Sequence, residues 1–106
     1  MDQVDLLVDI LLDKNEEVGA RDDAAIYFGQ YDDDRALVAL IKICIDKNAE
    51  EFIFANCGLS LANIWVRKNN FDPKVYNAMV SAARCEAYDY IKSKKPEWAI
   101  KYGLKP

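Results

Sequence analysis

The chain has 106 residues, of which 52% are hydrophobic and 30% charged, with 14 basic against 18 acidic side chains and a net charge of −4. That size and apolar content specify one small globular domain, residues 1–106, and exclude a disordered chain or a two-domain one. Histidine is absent, which removes the usual neutral-pH proton shuttle and the commonest zinc ligand, and with them Ser–His and Cys–His catalysis.

Taken in chain order, Leu6, Leu7, Ile10 and Leu11 fall on one apolar face and Asp5, Asp9 and Asp13 on the other, predicting a helix over 2–13. Lys14-Asn15 breaks it, because Asn tolerates the left-handed conformation that ends helices. A second helix is predicted over 17–31, with Ala20, Ala24, Tyr27, Phe28 and Tyr31 on its core side. Asp32, Asp33 and Asp34 supply carboxylates to cap the third, over 34–46, whose core face is Leu37, Leu40, Ile41, Cys44 and Ile45. A fourth helix, over 49–68, is apolar around most of its circumference and must be covered on several sides. Asp72-Pro73 then reads as an N-cap and first helical residue, followed by helices over 73–82 and 84–94 and a short tail helix from Pro96 to about residue 102. No segment alternates with period two over a useful length, so strands are not expected.

Residues 7–15 align without a gap on residues 40–48, a shift of 33, and the shift carries Ala24 onto Cys57, Phe28 onto Leu61, Gly29 onto Ala62 and Tyr31 onto Ile64. One helical hairpin is thus used twice, and stacking gives each hairpin the cover it cannot supply itself. Asp13, followed by Ala20-Arg21 and then Ala24-Ala25 and Phe28-Gly29, resembles the HEAT-like repeats. In the second copy Asp46 is kept but Phe54 stands at the Arg position, and the last two helices form only a degenerate third copy. The resemblance, over residues 4–92, implies an all-α fold: a short right-handed superhelix of two and a half to three hairpins. A plain six-helix bundle is the competing architecture.

The residue types offer little for catalysis. An EF-hand loop starting at Asp32 would need Gly and Glu where Leu37 and Ile43 stand, and the four glycines form no phosphate-cradling loop. No enzyme activity, cofactor or metal is therefore expected. Cys44, Cys57 and Cys85 are an odd set without a CxxC pair and read as reduced core residues. Residues 1–5 have no basic n-region, and the apolar stretches are interrupted well short of the about 18 residues that span a bilayer. A cytoplasmic location without membrane contact is the expectation.

Charge is distributed unevenly. Residues 1–53 carry 14 acidic and 5 basic side chains, −9, whereas residues 54–106 carry 4 and 9, +5. An acidic end repels nucleic acid and attracts a basic protein surface. On the second helix Asp22, Ile26 and Gly29 point away from the Ala24 and Phe28 face, and an exposed Ile beside carboxylates suits a mixed contact, unless the fourth helix covers it. Trp65 reads as core and Trp98 as core or anchor. The candidate partner-binding residues are Asp22, Asp23, Ile26, Asp32, Asp33 and Asp34. Small acidic HEAT-like proteins resemble bacterial immunity proteins, which implies occlusion of a basic toxin, such as a nuclease, as the function. The alternative is a cytoplasmic adaptor or scaffold.

Overall fold

Short polar side chains start and stop these helices. Asp2, Asp33 and Asp72 each accept a hydrogen bond from a first-turn amide, at 2.9, 2.8 and 3.1 Å, which satisfies donors that have no partner inside the helix. The computed structural model describes residues 2–106. Among them it has no strand and seven helices: α1 (Gln3–Leu12), α2 (Val18–Phe28), α3 (Asp34–Cys44), α4 (Glu51–Lys68), α5 (Pro73–Ala78), α6 (Ser81–Lys94) and α7 (Pro96–Lys101). The chain is all-α.

The repeat is visible in the turns. Asp13 accepts from the Asn15 amide and Asp46 from the Asn48 amide, both at 2.9 Å. The Asp13 and Asp46 carbonyls likewise accept from Glu16 and Ala49, both at 3.1 Å. These Asx turns, rather than a left-handed Asn, end the first helix of each hairpin. Asn69, at φ 52°, is the one non-glycine residue with positive φ among those described, and it closes α4.

The α1–α2 and α3–α4 pairs are antiparallel hairpins laid side by side, with α1 against α3 and α2 against α4. Polar contacts between them join residues about one repeat apart. Arg35 reaches Asp2, its own counterpart, at 3.1 Å; the Asn56 amide donates to Asp22 at 2.7 Å; the Ser60 hydroxyl donates to the Ala25 carbonyl at 2.8 Å. Helix α4 is covered by α2, α3 and α6, as its apolar circumference requires. The molecule measures 40 × 26 × 20 Å.

Several side chains fall elsewhere than periodicity alone predicts. Leu6, Tyr27 and Ile45 are exposed, while Ala25, Ala36, Ala39 and Ile43 are buried instead. Three of these four are alanines, which fit where the hairpins approach closely. Arg21 is only 2% exposed: its Nε donates to the Leu11 carbonyl at 3.0 Å, satisfying the last turn of α1. Helix α2 stops at Phe28, short of residue 31, because the next three amides tighten onto carbonyls three residues back. Helix α5 stops at Ala78, short of residue 82, because the Val80 amide donates to the Cys44 carbonyl at 2.9 Å and leaves the helical path. Trp98 is buried beside Phe71, with ring centroids 5.3 Å apart, and Phe71 also packs on Trp65. Both tryptophans are therefore core residues.

Cys44 and Cys57 are buried free thiols and Cys85 is half-buried. Burial pushes the Cys44 thiol up to about 12 and raises Cys57 as well, so neither supplies a thiolate at neutral pH.

The contact between α4 and α6 depends on Gly58. A Cβ there would meet the Ala83 carbonyl oxygen at 2.2 Å and the Ala83 Cα at 2.9 Å. Gly58→Ala should therefore destabilise the chain by roughly 1–3 kcal/mol in urea unfolding despite the better helix propensity. Gly19→Ala, where nothing lies within 4 Å, should instead stabilise it by about 0.5 kcal/mol. Equal effects at the two glycines would contradict this packing.

Candidate protein-binding surface

Helix α2 positions the first three candidate residues. Asp22 is half-buried, turned toward α4, and accepts the Asn56 amide. Asp23 is exposed, and Ile26 is 46% exposed and uncovered by α4. Gly29 does not point away: it is buried against Ser60, whose Oγ would lie 2.8 Å from an added Cβ. The Asn56–Asp22 bond sets α2 and α4 side by side, and Ile26 and Leu59, about one turn further along each, are both exposed. Leu59 and Phe52 are each 38% exposed. Leu59 is the counterpart of Ile26 one repeat later, a signal that the 33-residue shift carried and helix-by-helix periodicity did not.

The acidic loop that follows α2 is mostly engaged. Asp33 caps α3 and grips the Arg35 side chain at 2.7 Å, and the same guanidinium reaches Asp5 at 2.8 Å and Asp2 at 3.1 Å. Asp32 is paired with Arg67 at 2.8 Å, and Arg67 also donates to the Gly29 carbonyl at 2.6 Å. Asp34 is exposed, and its side chain enters none of these ion pairs. The six candidate residues therefore form two groups, Asp22, Asp23 and Ile26 along α2 and Asp32, Asp33 and Asp34 at its end, with Asp32 paired to the distant Arg67 and Asp33 to the nearby Arg35. Among the described residues no group of three or more acidic or thiol side chains is placed to hold a metal ion.

Beside Asp34, a groove of about 330 Å³ runs between α1 and α3. Val8, Leu12, Val38 and Ala39 line it, with Asp34, Arg35 and Lys42 among its polar residues. Its apolar floor is thus bordered by one carboxylate and two cations. No helix of the described chain is long and apolar enough to cross a membrane.

Comparison with known proteins finds no matching family model, no similar curated protein and no similar solved structure.

The electrostatics of the loop can be measured. The Arg35 side chain, then its own amide, holds the Asp33 carboxyl below its ordinary value of 3.8. The Asp5 amide, then Arg35, does the same for Asp2, and Arg67 for Asp32. These carboxyls ionise more readily in the folded chain, so their stabilisation is complete above pH 3.8 and is lost as pH falls through the lowered folded values. In Arg35→Gln, carboxyl ¹³C titration should show Asp33 returning most of the way to 3.8, with Asp2 moving less because its Asp5 bond survives. An unchanged Asp33 titration would contradict the assignment.

Proposed function

We propose that the chain is a non-catalytic protein-binding module whose acidic N-terminal half docks on a basic protein. The observation that carries this reading is the pairing of exposed apolar with unengaged acidic side chains on the first hairpin. Ile26 and Tyr27 are 46% and 53% exposed beside the exposed Asp23, in a half of the chain carrying −9. Carboxylates at the rim speed encounter with a positive surface, and the apolar residues between them hold the complex once formed.

Its most concrete form is an immunity protein of HEAT-like architecture. Carboxylates would stand where phosphates bind in a basic toxin cleft, such as that of a nuclease, and the helical body would block that cleft. This form takes its support from the sequence resemblance and the charge polarity together. The adaptor or scaffold alternative shares the docking step and differs in the partner.

Co-expression with the product of the neighbouring reading frame separates the two. An immunity role predicts that this product stops growth alone, and that the chain restores growth and forms a tight complex with it. Normal growth without the chain contradicts immunity, and copurification with a non-toxic host protein supports the adaptor. In either case Asp23→Lys with Asp34→Lys should slow association about tenfold at low ionic strength, with the difference shrinking as salt is added. An unchanged rate constant would contradict docking through the acidic half.

A further inference from the structure

The second hairpin turns one row of buried side chains toward the first: Ala39 and Ile43 on α3 and Ser60 on α4. Ala39 and Ile43 sit beside Leu12 of α1, and Ser60 bonds the Ala25 carbonyl of α2. The 33-residue shift maps this row onto Leu6 and Ile10 of α1 and Tyr27 of α2. In that first copy Leu6 is 51% and Tyr27 53% exposed, while Ile10, like Tyr31 one turn beyond Tyr27, is half-buried and packs in part on the core. By helical geometry Leu6 and Ile10 lie on the side of α1 opposite Val8, which lines the groove with α3. The first hairpin thus bears, on its free side, an apolar face of the kind by which the second hairpin docks, where a hairpin closing a stack would be polar.

Charge decides what fits there. Asp9 lies next to Leu6 and Ile10, and Asp23 one turn before Tyr27; both are exposed, and neither enters the ion pairs among the described residues. Asp23 is the counterpart of Asn56, whose amide donates across the hairpin interface to Asp22 at 2.7 Å. At the position that reaches across the interface, the first hairpin therefore offers an acceptor bearing a full negative charge instead of a donor. An occupant has to bring donors to it, and cations serve best. A second copy seated face to face would set Asp9 and Asp23 against their own counterparts, which is repulsive.

We propose that this free end face is a stacking site for a basic amphipathic helix of a partner protein. That helix lays its apolar row on Leu6, Ile10 and Tyr27 and sets Lys or Arg opposite Asp9 and Asp23. The assignment rests on the protein-binding function proposed above and gives it a face and an occupant.

The test titrates the isotope-labelled full chain with a Leu/Lys helical peptide of about five turns, apolar on one side, and with the same peptide carrying Glu for Lys. The lysine peptide should shift the resonances of Leu6, Ile10, Tyr27 and Tyr31, and the glutamate peptide should not. Leu6→Lys and Tyr27→Lys should each weaken binding at least about tenfold while leaving the thermal midpoint near that of the parent, because both side chains are already half in water. Asp23→Lys should weaken binding and flatten its salt dependence. Shifts centred on Ile26 and Leu59, or on the α1–α3 groove, overturn the end-face assignment and leave the docking reading standing. Equal binding of the glutamate peptide overturns the charge argument, and a sedimenting dimer abolished by Leu6→Lys gives the face to a second copy. Absence of salt-dependent binding of the lysine peptide anywhere on the chain overturns the end-face assignment and the docking reading together.

Discussion

The close approach of α2 and α4 is the constraint on which the rest of the structure depends. Ser60 lies against α2 with its hydroxyl bonded to the Ala25 carbonyl at 2.8 Å, and Gly29 has no Cβ because Ser60 occupies the space. With the helices this close, Asn56 reaches Asp22, Arg67 reaches the Gly29 carbonyl and Asp32, and on the other layer Arg35 falls beside Asp2. Small side chains therefore set the register, and the register determines which polar groups meet. It also fixes which apolar residues are left over. Ala39, Ile43 and Ser60 are covered, while Leu6 and Tyr27, one repeat earlier, are not.

The acidic character of the first half is thereby sorted into two kinds. Asp2, Asp5, Asp32 and Asp33 are drawn into arginine pairs and helix caps, the first two and Asp33 at the starts of α1 and α3 and Asp32 against the last turn of α4. Exposed ion pairs of this kind add little stability individually, but they fix where the guanidinium groups sit and lower the net field of the loop. Among the described residues Asp9, Asp23 and Asp34 enter no such pair and are exposed. The −9 of the half-chain is therefore partly neutralised within the fold, and the remainder lies on exposed carboxylates such as these.

The seven helices and the 33-residue self-similarity were legible in the sequence because apolar periodicity and capping residues are local signals, whereas the breaks after α1 and α3, expected from Asn, are made by the Asp13 and Asp46 side chains. What was not legible came from contacts between elements. Periodicity placed Leu6 and Tyr27 on apolar faces, yet which neighbour covers a face is decided by stacking order, and nothing in the described chain stacks on that side. Arg21 was visible as part of a repeat motif, but its burial follows from the Leu11 carbonyl it satisfies. The capping role of Asp33 was legible, but the ion pairs of the loop were not, because Arg67 is 35 residues from Asp32 and because Asp33 and Arg35, two residues apart, are joined to Asp2 and Asp5 only by the approach of α1. Periodicity alone leaves Gly29 on the outer side, since a bare backbone gives no hint that Ser60 presses against it.

The central claim, that one hairpin face is buried in its second copy and open in its first, is tested most directly by a soluble paramagnetic probe. Attenuation of side-chain resonances by the probe reports distance from solvent at matched repeat positions. Strong attenuation of the Leu6 methyls and Tyr27 ring is expected alongside protection of the counterparts Ala39 and Ser60. Comparable protection of both copies, or attenuation of Ala39 and Ser60, would contradict it.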